Sequence, residues 1–325
     1  MRADKYVHSP PEVREIQKEG YKEFEYIPDY GFELDPVKEN RLSYFRLFEP
    51  KNQPVKGDLV LLHGIGDGNI PYVQAFARLF AQQGIRTAFQ ILPYHYKQTP
   101  EGVSGGQLYY SANPDICVKR FHMAVRDTRK ILDYLETCPS HLESKTYVMG
   151  LSFGGIIATM AMAIDKRIKT GTLMITGGNW RWINFHSPYS EPIRIEVSEK
   201  SNPYGCRSEA DCKKRFRTDP VGWVKENVND IDDIFEKAPI PCYHYDPLSY
   251  APLVDQPVLF VKARFDRIMP KPATEELQSL LPNKTVKTIP TGHKSSILFT
   301  RRIVKWSVSF FEENAPDQKS QGQVP

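Results

Sequence analysis

Residues 150–155 read Gly-Leu-Ser-Phe-Gly-Gly, which puts a serine hydroxyl between glycines two residues away on either side. A β-branched and aromatic run precedes them at 145–149, and small apolar residues follow at 156–163, so the segment predicts a strand, a sharp turn and a helix. Such a turn strains the serine backbone while it lifts Oγ clear of the sheet, and glycine on both sides removes Cβ atoms that would collide with backbone. Ser152 is therefore the candidate nucleophile.

A serine hydroxyl is a weak nucleophile at neutral pH and needs a base within hydrogen-bond reach and a third group that orients the base. The sequence offers a candidate oxyanion loop before Ser152, and an aspartate and a histidine after it, in the order Ser, Asp, His. With this motif and order the chain resembles the α/β-hydrolase superfamily over most of residues 57–312. The resemblance implies an α/β fold, with a mostly parallel eight-stranded sheet, helices on both faces and a cap inserted after the sixth strand.

The resemblance also assigns a base and an acid. His293 lies in a Thr-Gly-His-Lys run between the last predicted strand and the last helix, where hydrolases of this family place their histidine on a loop. Asp266 resembles the family's strand-turn-Asp-x-x-x-Pro pattern, although Ala263 and Arg264 stand where the family often has glycine. Asp266 could instead cap the following helix or pair with a neighbouring arginine. Asp255 is the weaker candidate, because it precedes the strand and so lies at the wrong end of the sheet.

Two backbone N–H groups aimed at the developing oxyanion would complete the site, each typically contributing about 3 to 4 kcal/mol. One is expected from Phe153, the residue after the nucleophile. The other is expected from the His-Gly-Ile-Gly run at 63–66, which resembles the family's His-Gly loop after the third sheet strand. That match favours Ile65, with Gly64 as the alternative donor, and His63 is expected to brace the loop by hydrogen bonding.

With these residues the resemblance implies a serine esterase, a carboxylic ester hydrolase that acts through an acyl-enzyme intermediate on small to medium esters. The layout is similar to bacterial esterases near the acetyl xylan esterase and dienelactone hydrolase groups, although dienelactone hydrolases usually carry cysteine where Ser152 stands. The alternatives are a lipase or thioesterase for longer acyl chains, and a hydrolase-fold protein that binds a ligand without turnover. The partner expected is a small-molecule ester, and no cofactor is expected.

Two other chemistries have little support in the sequence. Gly64-x-Gly66 after an apolar strand imitates the start of a dinucleotide-binding fingerprint. However, Asn69 stands where glycine or alanine is needed, and no acidic residue ends the next strand. The chain has no G-x-x-x-x-G-K-[ST] motif, and no H-E-x-x-H or C-x-x-C arrangement for a metal ion. We therefore expect neither a nucleotide nor a metal at the site.

The composition is that of an ordinary globular protein, with 40% hydrophobic and 25% charged residues among 325. The net charge is +4, and the basic residues are scattered along the chain. This distribution does not indicate a nucleic-acid binding surface. No apolar run approaches the ~18 residues of a membrane span. Five cysteines and a charged N-terminus predict a reduced, cytoplasmic setting, in which thiols are favoured over a bridge between Cys206 and Cys212. The oligomeric state stays open.

The rest of the pattern predicts the elements that position these residues. Continuous apolar strands alternate with amphipathic helices, as in a parallel sheet covered on both faces. They follow an arm with a helical pattern at 11–18, and the first two strands form a hairpin. The predicted strands are 21–27, 42–48, 59–62, 87–92, 146–149, 171–175, 257–261 and 285–289; the predicted helices are 72–82, 120–135, 154–163, 274–281 and 296–311, with weaker patterns at 219–227 and 230–238.

An insertion at 178–252 interrupts this alternation after the sixth predicted strand. It has too many aromatic residues for a purely solvated loop, which favours a lid over an apolar pocket rather than a surface excursion. Trp180 and Trp182 within it, and His95 after a strand, are expected to border the substrate pocket. The predicted organisation is an N-terminal arm (1–20), an α/β-hydrolase core (21–177 and 253–313), a cap (178–252) and a disordered tail (314–325).

Overall fold

Among the described residues, nine strands form one sheet at the centre of the fold. The computed structural model of the protein describes residues 6–29, 35–200, 203–215 and 218–315. The strands are β1 (Val13–Lys18), β2 (Tyr21–Tyr26), β3 (Ser43–Phe48), β4 (Gly57–Leu62), β5 (Ile85–Ile91), β6 (Thr146–Leu151), β7 (Thr170–Met174), β8 (Val258–Ala263) and β9 (Lys284–Ile289).

Helices cover both faces of this sheet, and apolar clusters fill the space between helices and strands. Within the described ranges, none of the helices combines the length and apolar character that a membrane span requires. The helices are α1 (Asn69–Gln82), α2 (Pro114–Glu136), α3 (Phe153–Ile164), α4 (Trp180–His186), α5 (Glu191–Lys200), α6 (Glu209–Arg215), α7 (Pro220–Asn227), α8 (Ile231–Glu236), α9 (Pro247–Tyr250), α10 (Lys271–Leu280) and α11 (Thr300–Glu313).

The strand order is β1-β2-β3-β5-β4-β6-β7-β8-β9. β1, β2, β3 and β5 pair antiparallel, whereas β5, β4, β6, β7, β8 and β9 run parallel to one another. The carboxyl ends of parallel strands meet at one edge of a sheet, and ligands bind in the crevice outside that edge. The loops that follow β4, β6, β8 and β9 therefore converge there.

The side chains of β4 show why its sequence is continuously apolar. Leu59 and Leu61 belong to the cluster under α1 and α11. Val60 and Leu62 point to the opposite face and belong to the cluster under α2 and α3. All four are fully buried, because both faces of a central parallel strand are covered by helices.

In the N-terminal arm the predicted secondary structure is wrong. The sequence pattern predicts a helix over residues 11–18, but Val13–Lys18 form β1, which pairs with β2 in a hairpin. Gly20, with φ of 79°, occupies the tight turn between the two strands. The sheet consequently has nine strands rather than eight, and the insertion follows the seventh strand rather than the sixth.

The 178–252 insertion contains more helix than its sequence predicts. The two weak patterns correspond to α7 and α8, but α4, α5, α6 and α9 were missed. In α5, Ile193, Ile195 and Val197 occur at every second position, as in a strand. The spacing of the apolar residues therefore does not predict the helix. The predicted tail, 314–325, lies outside the described residues except for its first two positions.

Two acidic side chains, one within the insertion and one on α10, hold the start of the insertion. Asp246 is fully buried, and its carboxylate accepts the N–H groups of Asn179 at 2.9 Å and Trp180 at 3.2 Å. Glu276 on α10 accepts from Asn179 Nδ2 and from Trp182 Nε1, both at 2.7 Å. The start of the insertion is thereby held by charge-assisted hydrogen bonds on two sides.

Buried histidines should make the stability of the protein depend on pH. His122 on α2 donates Nε2–H to the His244 carbonyl at 2.9 Å, and burial lowers the pKa of His122 from 6.5 to about 4. Between those pH values the unfolded chain binds a proton that the folded chain excludes, so the free energy of unfolding falls as the pH falls. We expect this residue to contribute a loss of order 3 kcal/mol between pH 6.5 and 4.

Urea unfolding of wild type and His122→Gln across this pH range measures that contribution. The variant should lose less stability on acidification than wild type does. His186→Gln is the matched control, because His186 is exposed and bonded to Glu209 at the surface, and its pH dependence should follow that of wild type. The same pH dependence in all three proteins would contradict the assignment to His122.

Candidate functional site

Ser152 lies on the sharp turn between β6 and α3 that the sequence predicts. Its backbone has φ of 53° and ψ of −118°, a conformation that residues with a side chain rarely adopt. The turn is held because Ser152 N–H donates to the Met174 carbonyl at 2.9 Å and Thr176 Oγ1 donates to the Ser152 carbonyl at 2.7 Å. A Cβ at Gly150 would lie 2.1 Å from the Gly154 carbonyl oxygen, so only glycine fits there.

Gly154 lets α3 approach β4 closely. A Cβ on Gly154 would lie 2.4 Å from the Leu62 carbonyl oxygen and 2.7 Å from the His63 carbonyl oxygen, and this backbone is fixed at the centre of the sheet. We therefore expect Gly154→Ala to lower the free energy of unfolding by about 3 kcal/mol in urea denaturation. Gly68→Ala is the control, since a Cβ on Gly68 meets nothing within 4 Å and should cost about 1 kcal/mol or less. Equal losses in the two variants would contradict the steric cause.

His293 and Asp266 are in direct contact. His293 Nδ1 lies 2.8 Å from Asp266 Oδ2, and both side chains are about nine-tenths buried. Asp266 Oδ1 also accepts the N–H groups of Ile268 and Met269, each at 2.9 Å. With the carboxylate as acceptor, Nδ1 carries the ring proton and Nε2 keeps a lone pair. Asp255 instead pairs with Lys166 at 2.6 Å at the exposed opposite end of β8.

The backbone of His293 is held by a chain of hydroxyl groups. Ser296 Oγ donates to the His293 carbonyl at 2.6 Å, and the Tyr72 hydroxyl lies 3.2 Å from the same Oγ. Burial raises the pKa of Tyr72 to about 12, so its hydroxyl is protonated at neutral pH and donates to Ser296. The loop after β9 is thereby tied to α1.

Ser152 and His293 line the same two adjoining cavities. The first, here called the insertion cavity, has a volume of about 140 Å³. The second, the loop cavity, has about 430 Å³. In the part of the chain that the structure describes, no hydrogen bond joins Ser152 to His293, and such contacts are often long in unliganded sites. Both cavities are bordered by Ile65, Asn69, Ser152, Tyr189, His293 and Lys294.

The loop after β4 presents a backbone donor beside Ser152. A Cβ on Gly64 would lie 3.2 Å from Ser152 Cβ, which shows how closely the loop approaches the serine. Within the described ranges, the N–H groups of Ile65 and Phe153 have no protein acceptor, and both residues line the insertion cavity. Asn69 Nδ2 donates to the Ile65 carbonyl at 2.5 Å. Both amides are therefore free to donate to a ligand in this cavity.

His63 braces this loop in the way the sequence predicts. Its Nε2 accepts the Leu92 N–H at 3.0 Å, so the ring proton is on Nδ1, which donates to the Gly64 carbonyl at 2.6 Å. Burial, followed by repulsion from the neighbouring His95 ring, lowers the pKa of His63 well below 6.5. The His63 ring is therefore neutral, and its hydrogen bond holds the Gly64 peptide in place.

His95 has a supporting role rather than the expected place at the pocket border. It is fully buried, lines neither cavity, and its Nε2 accepts the Gly66 N–H at 2.9 Å. Its Nδ1 donates to the Pro93 carbonyl at 2.9 Å, and burial lowers the pKa of His95. The Gly66 amide is engaged in this way, so among the described contacts the loop amides without an acceptor include those of Gly64 and Ile65.

Trp180 and Trp182 do not line the two cavities either. Trp180 is buried and stacks on Tyr110 with ring centroids 4.9 Å apart, while Trp182 donates to Glu276. Both tryptophans anchor the insertion, Trp180 through the large apolar area that its indole buries and Trp182 through the hydrogen bond of its N–H. The residues that line the insertion cavity but were not named as site residues from the sequence are Asn69, Tyr110, Ile183, Ser187, Tyr189, Ser190, Ile193, Ile268, Met269 and Lys294.

Metal chemistry has no ligand set in the described ranges. No group of three or more histidine, cysteine, aspartate or glutamate side chains there is placed to hold a metal ion. The chemistry available at the site is that of a hydroxyl, an imidazole with its carboxylate, and two unused amides.

Solved structures are similar to this chain in fold. A cold-adapted esterase from an Arctic intertidal metagenomic library matches with a TM-score of 0.55 and 17% identity, over 94% of this chain and 99% of that chain. Acetyl xylan esterase 1 from Thermoanaerobacterium sp. JW/SL YS485 matches with a TM-score of 0.56 and 14% identity, over 97% and 91%. Pyrococcus horikoshii acylaminoacyl peptidase gives 0.59 and 14%, over 94% of this chain and 43% of that one.

No protein-family model and no curated protein sequence matches the chain. The identities of 14 to 17% to the solved structures carry information about the fold alone. Together with the mostly parallel sheet and its helices, they show that this chain has the α/β-hydrolase fold. The predicted fold class is confirmed.

Proposed function

We propose that this chain is a serine hydrolase of carboxylic esters, with Ser152 as nucleophile, His293 as base and Asp266 as the group that orients the base. The observation that carries the proposal is that a serine on a strained turn lines the same cavities as a histidine bonded to a buried aspartate. The esterases among the solved structures support the same class of reaction.

In the first half of the reaction, Ser152 Oγ attacks the ester carbonyl carbon while His293 Nε2 takes its proton. Asp266 keeps the imidazole in the required tautomer and stabilises the imidazolium that forms. The carbonyl oxygen becomes an oxyanion, which accepts hydrogen bonds from the Phe153 and Ile65 amides. When the intermediate collapses, the C–O bond to the alcohol breaks, and the alcohol oxygen receives the proton from His293.

In the second half, water attacks the acyl-enzyme ester on Ser152. His293 takes a proton from the water, the same two amides hold the second oxyanion, and the serine leaves with the proton from His293. The products are the carboxylic acid and free enzyme. No cofactor enters either half, because every proton taken by the imidazole is returned within the cycle.

The size and lining of the insertion cavity favour a small to medium acyl group. Tyr110, Ile183, Ile193 and Met269 give the insertion cavity an apolar wall, and its volume of about 140 Å³ is modest. We assign the acyl group to this cavity and the alcohol to the loop cavity, which borders the start of α1. On this assignment the 178–252 insertion is a cap over the acyl group.

A fluorophosphonate probe and a series of p-nitrophenyl esters test the proposal. We expect the probe to label Ser152, located by peptide mass spectrometry, and kcat/KM to be highest for acetyl or butyryl esters. A maximum at octanoyl or palmitoyl esters would favour the lipase or thioesterase alternative. An absence of both labelling and turnover, in a protein shown to be folded by circular dichroism, would favour a ligand-binding protein and overturn the proposal.

A further inference from the structure

We propose that Lys294 forms an anion-binding subsite and that the enzyme prefers esters whose leaving alcohol carries a carboxylate or another anionic group. The inference rests on the proposed function and deepens it by naming a substrate class. It is carried by the position of Lys294, by the charges around it and by the path that the alcohol must take.

Lys294 lies at the junction of the two cavities. It follows His293 directly and lines both the insertion cavity and the loop cavity. Its ammonium group lies 5.2 Å from the centre of the Tyr189 ring, which belongs to the insertion. This cation–π contact directs an otherwise flexible side chain across the opening between the core and the insertion.

In the part of the chain that the structure describes, no acidic side chain compensates the charge of Lys294. Among the described residues, it has no ion-pair partner, and no carboxylate lines either cavity. Asp67 belongs to the loop after β4, but it accepts the Tyr96 N–H at 2.9 Å instead of lining a cavity. Asp266 is buried behind His293. The remaining neighbours along both cavity walls are neutral, so an anion arriving with the substrate meets a cation that has no competing carboxylate.

The alcohol, rather than the acyl group, is the part that passes Lys294. For the reaction to proceed, the leaving oxygen must come within about 3 Å of His293 Nε2 to receive its proton. Lys294 is the next residue, whereas the acyl group extends under Tyr110 and Ile183 in the insertion cavity. Although Lys294 also lines the insertion cavity, we therefore assign the anionic group to the alcohol, which must leave past His293 and its neighbour Lys294.

Two matched pairs of esters test this assignment. In the first pair the charge is on the alcohol: 4-acetoxybenzoate and the neutral 4-acetoxybenzamide. In the second pair the charge is on the acyl group: the phenyl monoester of succinate and phenyl butyrate. The measured quantity is the ratio of kcat/KM for the charged ester to that for the neutral ester. Comparing this ratio between variants cancels the intrinsic reactivity of each ester.

We expect Lys294→Met to lower the ratio for the first pair by about fivefold, the size typical of a partly exposed ion pair, and Lys294→Glu to lower it further. Lys294→Arg should keep the wild-type ratio. The preference of wild type should also weaken in salt, because the Debye length falls from ~10 Å at 0.1 M to ~3 Å at 1 M. A merely structural role for Lys294 would not produce this salt dependence.

Lys305→Met is the matched control, because Lys305 is an exposed lysine on α11 that lines neither cavity, and its ratios should equal those of wild type. Equal ratios in wild type and Lys294→Met would overturn the subsite. A response in the succinate pair alone would overturn its assignment to the alcohol.

If none of the four esters is hydrolysed and the fluorophosphonate probe leaves Ser152 unlabelled, the proposed function has failed. Whether Lys294 binds an anion is then tested by the equilibrium binding of 4-hydroxybenzoate, measured by calorimetry. Tighter binding to wild type than to Lys294→Met would still support the subsite, and equal or absent binding would overturn it.

Discussion

Ser152→Ala is expected to give a folded protein whose kcat/KM toward p-nitrophenyl acetate is at least about 10⁴-fold below that of wild type. The loss is large because the base and the oxyanion donors act through the nucleophile and cannot replace it. The fold should survive, since alanine introduces no new atom at the turn and the Met174 and Thr176 contacts involve only the backbone of residue 152. Steady-state kinetics and a urea unfolding curve measure the two effects.

Ser190→Ala provides the matched control for labelling. Ser190 is a second hydroxyl on the wall of the insertion cavity, but it is not placed on a strained turn. A fluorophosphonate probe should label Ser190→Ala and fail to label Ser152→Ala. If Ser152→Ala keeps its turnover or its label, another residue is the nucleophile and the proposed mechanism is wrong.

Asp266→Asn is expected to lower kcat by about 10⁴-fold, with little change in KM, while the protein stays folded. The asparagine amide can present its N–H₂ to His293 Nδ1, which then becomes the acceptor and leaves Nε2 protonated and unable to act as a base. The side-chain oxygen can still accept from the Ile268 and Met269 amides. Stopped-flow or steady-state kinetics with p-nitrophenyl acetate measure the change.

Asp255→Asn is the control for the acid. The carboxylate of Asp255 is exposed and paired with Lys166 at the opposite end of β8, so kcat should remain within twofold of wild type, as expected for a change remote from the site. A small loss in Asp266→Asn would mean that His293 does not depend on this carboxylate for its tautomer. A large loss in Asp255→Asn would contradict the choice between the two acids.

Signals that are local in sequence predicted most of the fold. Buried parallel strands appear in a sequence as short runs of apolar residues. Each of the eight predicted strands corresponds to an observed one. The exception, β1, lies at the edge of the sheet, where only Val13 and Ile16 are partly buried and their spacing fits a helix equally well. Edge strands and short insertion helices leave weak periodic patterns because few of their side chains reach the core.

Some residues of the candidate site could likewise be proposed from the sequence, and others could not. Ser152, Asp266 and His293 could be proposed from sequence because each follows a strand at the carboxyl edge of the sheet, where the chain must turn. His95, Trp180 and Trp182 could not be placed, since burial and partners across the fold decided that they support the loop and the insertion instead.

By itself, the sequence determined the strained serine turn, the alternation of strands and helices, and the order in which the reactive groups follow one another, because these depend on backbone sterics and on neighbours a few residues away. Only the tertiary structure decided which side chains border the cavities, that His95 engages the Gly66 amide and that Lys294 meets Tyr189 across the opening. Those contacts join residues far apart in the chain, so their energies depend on packing that no local pattern records.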